Sequence, residues 1–220
     1  KIKPDIIYSL GASAVLPSKI LGRILRVPVV SRLYGIALSN ALKRNKISSW
    51  KEFKELYWAV PEWVALKLRV DAYVITDDGS DGIAIAKKFG VHNRSFFARN
   101  GVDPIFVTKE EIEGLRHRLL NNKFEKLILY LGRIDSGKRC DRILQVAELA
   151  KLKNFQWRFI LIGEGPEKVR LDIAAREKGL SEEFIEIGAV PHEKIWEYLQ
   201  AADVFLSLPD HSVISNTLLE

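Results

Sequence analysis

The strongest constraint on the fold is a regular alternation of short apolar runs with longer amphipathic stretches. Two of the runs, Leu127–Leu131 and Phe159–Ile162, are almost continuously apolar. Strands of that kind are buried on both faces, which is typical of a parallel sheet covered by helices. The sequence therefore predicts an α/β fold. Because ligands of such folds bind beyond the carboxyl ends of the strands, the strand-to-helix loops are the segments to search for function.

The alternation divides into two doubly wound, Rossmann-like α/β domains, 1–103 and 104–220. The predicted strands are Asp5–Ser9, Val27–Leu33, Asp71–Thr76, Ser95–Arg99, Lys126–Leu131, Trp157–Ile162, Phe184–Ile187 and Asp203–Leu208. The predicted helices are Ser18–Arg26, Trp50–Leu68, Gly82–Phe89, Thr108–Leu120, Arg139–Leu152, Glu167–Lys178, His192–Ala202 and Asn216–Glu220. Pro61 is expected to kink or divide its helix. Thr108 and Glu111 form a capping-box pattern. We expect the first domain to lack its opening strands and the second its closing elements.

Charge is distributed unevenly along the chain. Residues 1–106 hold 17 Lys and Arg against 9 Asp and Glu, a net charge of +8, whereas residues 107–220 carry −2. Between Asp5 and Glu52 there is no acid. The asymmetry favours an anionic partner for the first half. An ordinary solvated basic face is the alternative interpretation.

Composition narrows the class of protein. The 220 residues are 47% hydrophobic and 28% charged, as in water-soluble globular proteins. Cys140 is the sole cysteine, so a reducing cytoplasm is expected. No apolar run approaches the roughly 20 residues that span a bilayer, and no signal peptide is recognised. The absence of Met from the sequence suggests a fragment.

The first informative loop lies in the stretch LILYLGRIDSGKRCDRIL, residues 127–144. Its Gly132 to Lys138 segment has the G-x-x-x-x-G-K spacing of a phosphate loop, but Arg139 occupies the place of the Ser or Thr that binds magnesium. Arg133 and Lys138 flank a turn before a helix, and two cations there suit a diphosphate. They can equally be two surface cations.

Three later loops carry weaker signals. Gly163-Glu164-Gly165-Pro166 has a G-x-G after a strand, but the third glycine of a dinucleotide fingerprint falls on Lys168. Gly188 follows the next strand, and His192 begins a helix, where it is more often a cap or surface residue than a catalyst. The last loop leads through Ser215 into a helix with Glu220, whose carboxylate could accept hydrogen bonds from a ribose diol or simply stabilise the helix start.

The order and spacing of these loops resemble the family-4 retaining glycosyltransferases, which have the two-domain GT-B fold. The resemblance is strong over residues 100–220 and weak before them. The matching segments are Asn100-Gly101-Val102-Asp103, Gly132-Arg133 with Lys138, Gly163-Glu164-Gly165-Pro166, Gly188 with Val190, Ala202-Asp203-Val204-Phe205 and Leu218-Leu219-Glu220.

The resemblance implies a donor site for a nucleotide-diphosphate sugar. Arg133 and Lys138 would be the catalytic cations that hold the diphosphate, and Glu220 would be the second glutamate of an E-x7-E motif that grips the ribose. The Val190 backbone would contact the base. The other implied donor-binding residues are Gly132, Gly163, Gly165, Ser212, Ser215, Asn216, Thr217 and Leu218. No carboxylate pair suited to a metal is recognised, since Asp77-Asp78 falls in a first-domain turn, so no metal and no cofactor beyond the nucleotide sugar are expected.

The implied activity is sugar transfer with retention of anomeric configuration to an unidentified glycan or lipid-linked acceptor. The basic segment 19–51, with Trp50, Trp58 and Trp63 nearby, is a hypothetical contact with an anionic membrane at the cytoplasmic face. No nucleic-acid partner is expected.

The sequence departs from the family pattern at three places: Ser212 replaces the first motif glutamate, Arg139 follows Lys138 where Gly is usual, and Tyr34-Gly35 replaces His-Gly. Because of Ser212, a catalytically weak sugar-nucleotide-binding relative is the main alternative function. An NAD-linked oxidoreductase is the third candidate function, and a phosphate-loop hydrolase is the fourth.

Overall fold

The computed structural model describes residues 3–34, 38, 50–76, 79–103, 105–209 and 215–220, with the backbone alone for 50–56 and 58. Two compact units are present, Lys1–Gly101 with Ser212–Ser215 and Val102–His211 with Asn216–Glu220. Each contains one four-stranded parallel sheet. The prediction of two parallel-sheet α/β domains is therefore confirmed.

The first unit has its strands in the order β1-β2-β3-β4. They are β1 Ile7–Leu10, β2 Val29–Leu33, β3 Ala72–Thr76 and β4 Ser95–Ala98, and the described helices between them are α1 Val15–Leu25, α2 Trp50–Leu68 and α3 Gly82–Lys88. The order advances in one direction, so right-handed crossovers place these helices on one face. Their buried residues, such as Val15, Leu66 and Ile85, form one core with Tyr73 and Ile75 of β3.

The opposite face of the first sheet is bare among the described residues. Tyr8, Leu10 and Phe96 are each about half or more exposed there, at 49%, 55% and 66%. Helices on both faces, which the parallel-sheet argument predicts, are thus described only for the second unit.

The second unit has its strands in the order β7-β6-β5-β8. They are β5 Lys126–Leu131, β6 Trp157–Ile162, β7 Phe184–Gly188 and β8 Val204–Phe205. The helices are α4 Lys109–Leu120, α5 Cys140–Leu152, α6 Lys168–Glu177, α7 His192–Ala201 and α8 Asn216–Leu219. Ile128 and Tyr130 pack into a core with α5 and α6, whereas Leu127, Leu129 and Leu131 pack into a second core with α4 and α7. Alternate residues of β5 therefore supply both cores.

Two predicted elements differ from the structure. Helix α2 runs without division through Pro61, because Ala59, Ala65 and Leu66 are buried around that turn and tertiary packing outweighs the roughly 3 kcal/mol cost of an internal proline. The predicted strand Asp203–Leu208 shortens to β8. The hydrogen bond from the Leu206 amide to the Leu129 carbonyl, at 2.8 Å, lies at the end of its pairing with β5. The capping box at Thr108 is present as predicted.

Candidate donor site at the carboxyl edge of the second sheet

The second sheet reverses its direction of winding at β5. The chain builds outward from β5 to β6 and β7 and then returns to place β8 on the other side of β5. Such a reversal opens a crevice at the carboxyl ends of the two strands beside it, β5 and β8, where α/β proteins bind their ligands. The loop after β5, which carries Arg133 and Lys138, lies at this point.

The glycines that follow β5, β6 and the bulge of β7, namely Gly132, Gly163 and Gly188, lie side by side along this edge. The Gly132 amide donates to the Ile162 carbonyl at 3.0 Å, and the Gly163 amide donates to the Gly188 carbonyl at 2.9 Å. A Cβ on Gly163 would lie 1.9 Å from the Gly132 carbonyl oxygen, and one on Gly165 would lie 2.1 Å from the Ile134 carbonyl oxygen. The glycines of the second loop therefore let its backbone pack against the first loop. Their predicted contact with a donor stays a prediction.

Asp135 organises the first loop. Its Oδ1 accepts hydrogen bonds from the amides of Gly137 and Lys138, both at 3.0 Å, and its Oδ2 lies 2.7 Å from the guanidinium of Arg133. The Arg133 side chain is 79% exposed, and Lys138 is half-buried. One carboxylate thus connects the guanidinium of Arg133 to the backbone of Lys138. Sequence reasoning missed Asp135, although an Asp two residues before a turn glycine is a recognised signal.

The buried Tyr130 fixes the backbone of the same loop through a hydrogen bond. Its hydroxyl donates to the Arg133 carbonyl at 2.7 Å. Burial raises the pKa of this phenol, and a hydrogen bond with the Cys140 side chain raises it further, so the hydroxyl stays protonated as a donor. Burial likewise raises the pKa of Cys140, which leaves the thiol as a core residue of α5.

Arg139 does not add a solvated cation to the loop. It begins α5 in the left-handed conformation, at φ 54°, and its guanidinium forms a fork with Asp141 through bonds of 3.0 and 2.9 Å. The hydrogen bond from Arg139 lowers the pKa of Asp141. The residue that broke the phosphate-loop pattern is therefore engaged with the first turn of its own helix.

Glu164 connects the second loop to the third. Its carboxylate lies 2.7 Å from the Lys168 ammonium, and a Cβ on Gly188 would lie 2.9 Å from its Oε1. The hydrogen bond from Lys168 contributes most to lowering the pKa of Glu164, and the Ala189 amide lowers it further. The Ala189 amide adjoins Val190, a half-buried residue that packs on the second core. Glu164 belongs to the Gly163-Glu164-Gly165-Pro166 motif, but the sequence did not predict it as a site residue.

A buried carboxyl lies under this connection. Glu186 of β7 pairs with Leu161, and a bulge follows that brings Gly188 opposite Ile162. Neither carboxyl oxygen of Glu186 has a hydrogen-bond partner among the described residues. Burial, with the charge of Asp172 next, raises the pKa of Glu186 to about 7. Bulges often lie beside functional sites.

The last predicted segment is described only in part. Ser212 lies outside the described residues, as do Tyr34's neighbour Gly35 and the pair Asp77-Asp78. Residues 216–219, which include Asn216, Thr217 and Leu218, form the short helix α8, and the Glu220 amide donates to the Asn216 carbonyl at 3.0 Å. Ser215 precedes this helix, and Leu218 is 54% exposed. Their predicted donor contacts stay predictions.

Residues 111–220 match the family model described as glycosyl transferases group 1. The chain belongs to this family. The match spans half of the chain, including every loop of the candidate donor site. The segment Ala202-Asp203-Val204-Phe205, which also carried the resemblance, has a structural role: Asp203 pairs with Arg116 at 2.8 Å and with Lys126 at 3.0 Å, at the opposite end of β5 from the site.

Two curated relatives extend the similarity beyond the family match. The 2-deoxystreptamine glucosyltransferase of Streptomyces kanamyceticus is 26% identical over 212 residues, covering 91% of this chain and 54% of that protein. The 2-deoxystreptamine N-acetyl-D-glucosaminyltransferase of Niallia circulans is 25% identical over 196 residues, covering 84% and 47%. The chain spans about half the length of these relatives.

Solved structures support the fold. Anabaena HepE in complex with UDP and glucose has a TM-score of 0.68 at 20% identity, over 93% of this chain and 52% of HepE. The lipopolysaccharide outer core galactosyltransferase WaaB has a TM-score of 0.58 at 14% identity. The α/β architecture predicted from the alternation is therefore shared with these two solved proteins.

Proposed function

We propose that this chain is the donor-binding part of a retaining, metal-independent glycosyltransferase. It would move a sugar from a nucleotide-diphosphate donor to a glycan or lipid-linked acceptor. The observation that carries the proposal is the loop at the winding reversal beside β5. There Asp135 connects the guanidinium of Arg133 to the backbone of Lys138, in a member of the glycosyl transferases group 1 family. Relatives named as glucosyl- and N-acetylglucosaminyltransferases favour a sugar nucleotide as the donor.

The proposed chemistry is stabilisation of a leaving diphosphate. As the bond between the anomeric carbon and the phosphate oxygen breaks, negative charge develops on the diphosphate. Fixed cations that face this charge lower the barrier because they need no reorganisation during the reaction. In this chain Arg133 and Lys138 would supply the cations. Asp135 and Tyr130 would hold the backbone from which they project.

Geometry argues against the phosphate-loop hydrolase. In phosphate loops the backbone amides cradle the phosphates. Here the Gly137 and Lys138 amides both donate to the Asp135 carboxylate, and the Arg139 side chain pairs with Asp141. The NAD-linked alternative is disfavoured by Gly165, which packs against the Ile134 carbonyl, and by Lys168 at the third glycine position.

Metal independence is part of this proposal because the family resemblance implies it. In the part of the chain that the structure describes, no group of three or more His, Cys, Asp or Glu residues is arranged to hold a metal ion. A transfer assay in the presence of EDTA tests the proposal. Undiminished turnover is expected, and loss of turnover that is restored by a divalent cation would contradict it.

Calorimetric titration of the full-length protein with UDP, GDP, ADP, NAD and ATP-Mg tests the donor site. We expect a nucleoside diphosphate to bind best. Arg133→Ala and Lys138→Ala should each weaken that binding by about 1.5–3 kcal/mol, the size of a charged hydrogen bond. Arg176→Ala is a matched control, because it removes an exposed cation from α6 that pairs with Asp172. Unchanged affinity in both loop variants, or tight binding of ATP only with magnesium, would overturn the proposal.

Retention of configuration and the role of Ser212 need a product assay. The anomeric configuration of the product, read by NMR, should match that of the donor sugar. Ser212→Glu restores the family's first motif glutamate. A faster Ser212→Glu variant would indicate a working enzyme with altered sugar choice. Absence of turnover in both proteins would favour the sugar-nucleotide-binding relative.

We also propose a cytoplasmic location with peripheral contact between the basic segment 19–51 and a membrane. The support is the segment's charge and the single, buried Cys140. Among the described residues, no helix combines the length and apolarity needed to cross a bilayer. Equal sedimentation with neutral and anionic vesicles would contradict membrane contact through this segment.

A further inference from the structure

A cationic cavity lies in the first unit. It has a volume of about 470 Å³ and is lined by residues at the end of α1 and just before β2 and β3. It therefore opens at the amino-terminal edge of the first sheet, opposite the carboxyl edge that α/β proteins use for their main ligand. Four basic residues contribute to its lining, Lys19, Arg23, Arg26 and Arg69, and the Arg69 guanidinium extends from there toward Gly90.

These cations are poorly neutralised. Among the described residues, Arg23, Arg26 and Arg69 donate no side-chain hydrogen bond and form no ion pair, and Lys19 contacts only the Arg69 carbonyl, at 3.4 Å. Asp71 is the one acid in the described lining, and its Oδ2 accepts the Val29 amide at 2.8 Å. Asp71 and the carboxyl ends of α1 and α2 offset about two of the four positive charges, since a helix end carries about half a charge. About two positive charges remain for a ligand.

Two of the arginines are held in a costly backbone conformation. Arg26 has φ 57° and Arg69 has φ 47°, a region where a large side chain costs roughly 1–2 kcal/mol and where Gly or Asn is usual. Among the described non-glycine residues with positive φ, four are Asn or Asp and three are Arg. Two of those three arginines line this one cavity. Strain of this kind, retained where Gly would relieve it, points to a function for the side chains.

We propose that this cavity binds a phosphate group carried by a ligand other than the sugar donor. Guanidinium groups match phosphate oxygens through paired hydrogen bonds. The phosphate can belong to a small soluble molecule or to a phospholipid headgroup. The outer face of α1 makes the second source worth testing, because Leu16, Ile20 and Ile24 are 47%, 54% and 70% exposed beside the cavity.

The left-handed backbone supplies variants that keep the fold. Arg26→Asn together with Arg69→Asn removes two cations and places at both sites a residue that tolerates positive φ. Any loss of binding therefore does not stem from unfolding. Lys87→Asn with Lys88→Asn is the matched control, because it removes two exposed cations from α3 of the same unit. All proteins carry Arg133→Ala and Lys138→Ala, so that the proposed donor site does not contribute.

Calorimetric titration with pyrophosphate at fixed ionic strength is the first measurement, and sedimentation with phosphatidylglycerol or phosphatidylcholine vesicles is the second. We expect the asparagine variant to lose about tenfold or more in affinity for at least one phosphate probe, and the lysine control to be unchanged. Loss of pyrophosphate binding alone identifies a soluble ligand. Loss of selective phosphatidylglycerol binding identifies a lipid headgroup. If neither probe distinguishes the asparagine variant from the lysine control, the proposal is overturned, whatever the donor-site titrations show.

Discussion

Glu164 shows how one exposed side chain can shape the candidate donor site. Its carboxylate pairs with Lys168 of α6 and adjoins Gly188 at the start of the third loop, where Ala189 directly precedes the residue whose backbone is predicted to contact the base. Asp135 has the corresponding role in the first loop. We infer that carboxylates position the loops at this edge, whereas the predicted cations meet the ligand.

Replacing Glu164 with Gln should therefore change donor recognition more than stability. The amide side chain loses the charged bond with Lys168 and holds the Ala189 amide less firmly. We expect the nucleoside-diphosphate affinity to fall roughly two- to tenfold, about the effect of one net hydrogen bond. The differences in affinity among UDP, GDP and ADP should also become smaller.

Titration calorimetry with the three nucleotides checks this expectation. Glu182→Gln is the control, because Glu182 also forms an exposed pair with a lysine, Lys123, but belongs to the segment before β7. A Glu164→Gln protein that keeps wild-type nucleotide preference would show that Glu164 only braces the surface.

The loops after β5 and β6 behave as a single packed layer. The Ile134 amide donates to the Glu164 carbonyl at 3.0 Å, and the Glu167 amide donates back to the Ile134 carbonyl at 3.1 Å. Such close backbone pairing is sterically possible only without a Cβ at Gly163 and Gly165. The G-x-G pattern, which first suggested a dinucleotide fingerprint, thus has a packing explanation.

A methyl group at either position should separate the two loops. Gly163→Ala and Gly165→Ala are each expected to lower the free energy of unfolding by about 2–4 kcal/mol, since the clash is with backbone atoms that side-chain rotation cannot relieve. Gly179→Ala measures the cost of positive φ alone, because φ is +65° there and nothing lies within 4 Å of the added Cβ. Urea denaturation of the three variants tests the idea, which fails if Gly163→Ala is no more damaging than Gly179→Ala.

The response of the molecule to pH follows from two carboxyls of the second unit. Partial burial raises the pKa of Asp203, but hydrogen bonds from Arg116, the Leu127 amide and Lys126 outweigh it and lower this pKa to about 2. Its stabilisation is therefore complete above the ordinary aspartate pKa, near 4, and is lost as the pH falls through about 2. The effect of Glu186 on stability changes with pH in the opposite direction. Its pKa of about 7 means that the folded state loses stability as the pH rises from about 4.5 to 7.

Denaturation profiles from pH 2.5 to 8 should separate these effects. Asp203→Asn is expected to lose about 1–2 kcal/mol at pH 7 and clearly less at pH 2.5, because at pH 2.5 the carboxyl is protonated in the unfolded state and partly protonated in the folded state. Glu186→Gln should be more stable than wild type at pH 8 and similar at pH 4. Glu182→Gln, which loses an exposed pair with Lys123, serves as the control and should stay within about 0.5 kcal/mol. Parallel profiles for all four proteins would contradict both assignments.

The order of strands and helices, the parallel sheets and the loop that carries Arg133 and Lys138 could all be predicted from the chain alone. Hydrophobic periodicity and glycine positions are local properties, and the family resemblance rests on the spacing of short motifs. Burial of β5 and β6 on both faces also followed, because near-continuous apolar runs such as Leu127–Leu131 are typical of strands covered by helices on each side.

Contacts between residues distant in sequence could not be predicted in this way. The pairing of Gly163 with Gly132, the bridge from Glu164 to Ala189 and the convergence of Arg26 with Arg69 depend on which loops the sheet order brings together. The pairing of Arg139 with Asp141 is local, but it accompanies a left-handed backbone at Arg139 that the residue pattern does not predict. Periodicity specifies which face of an element is buried, but only the packed fold specifies which neighbours share that face.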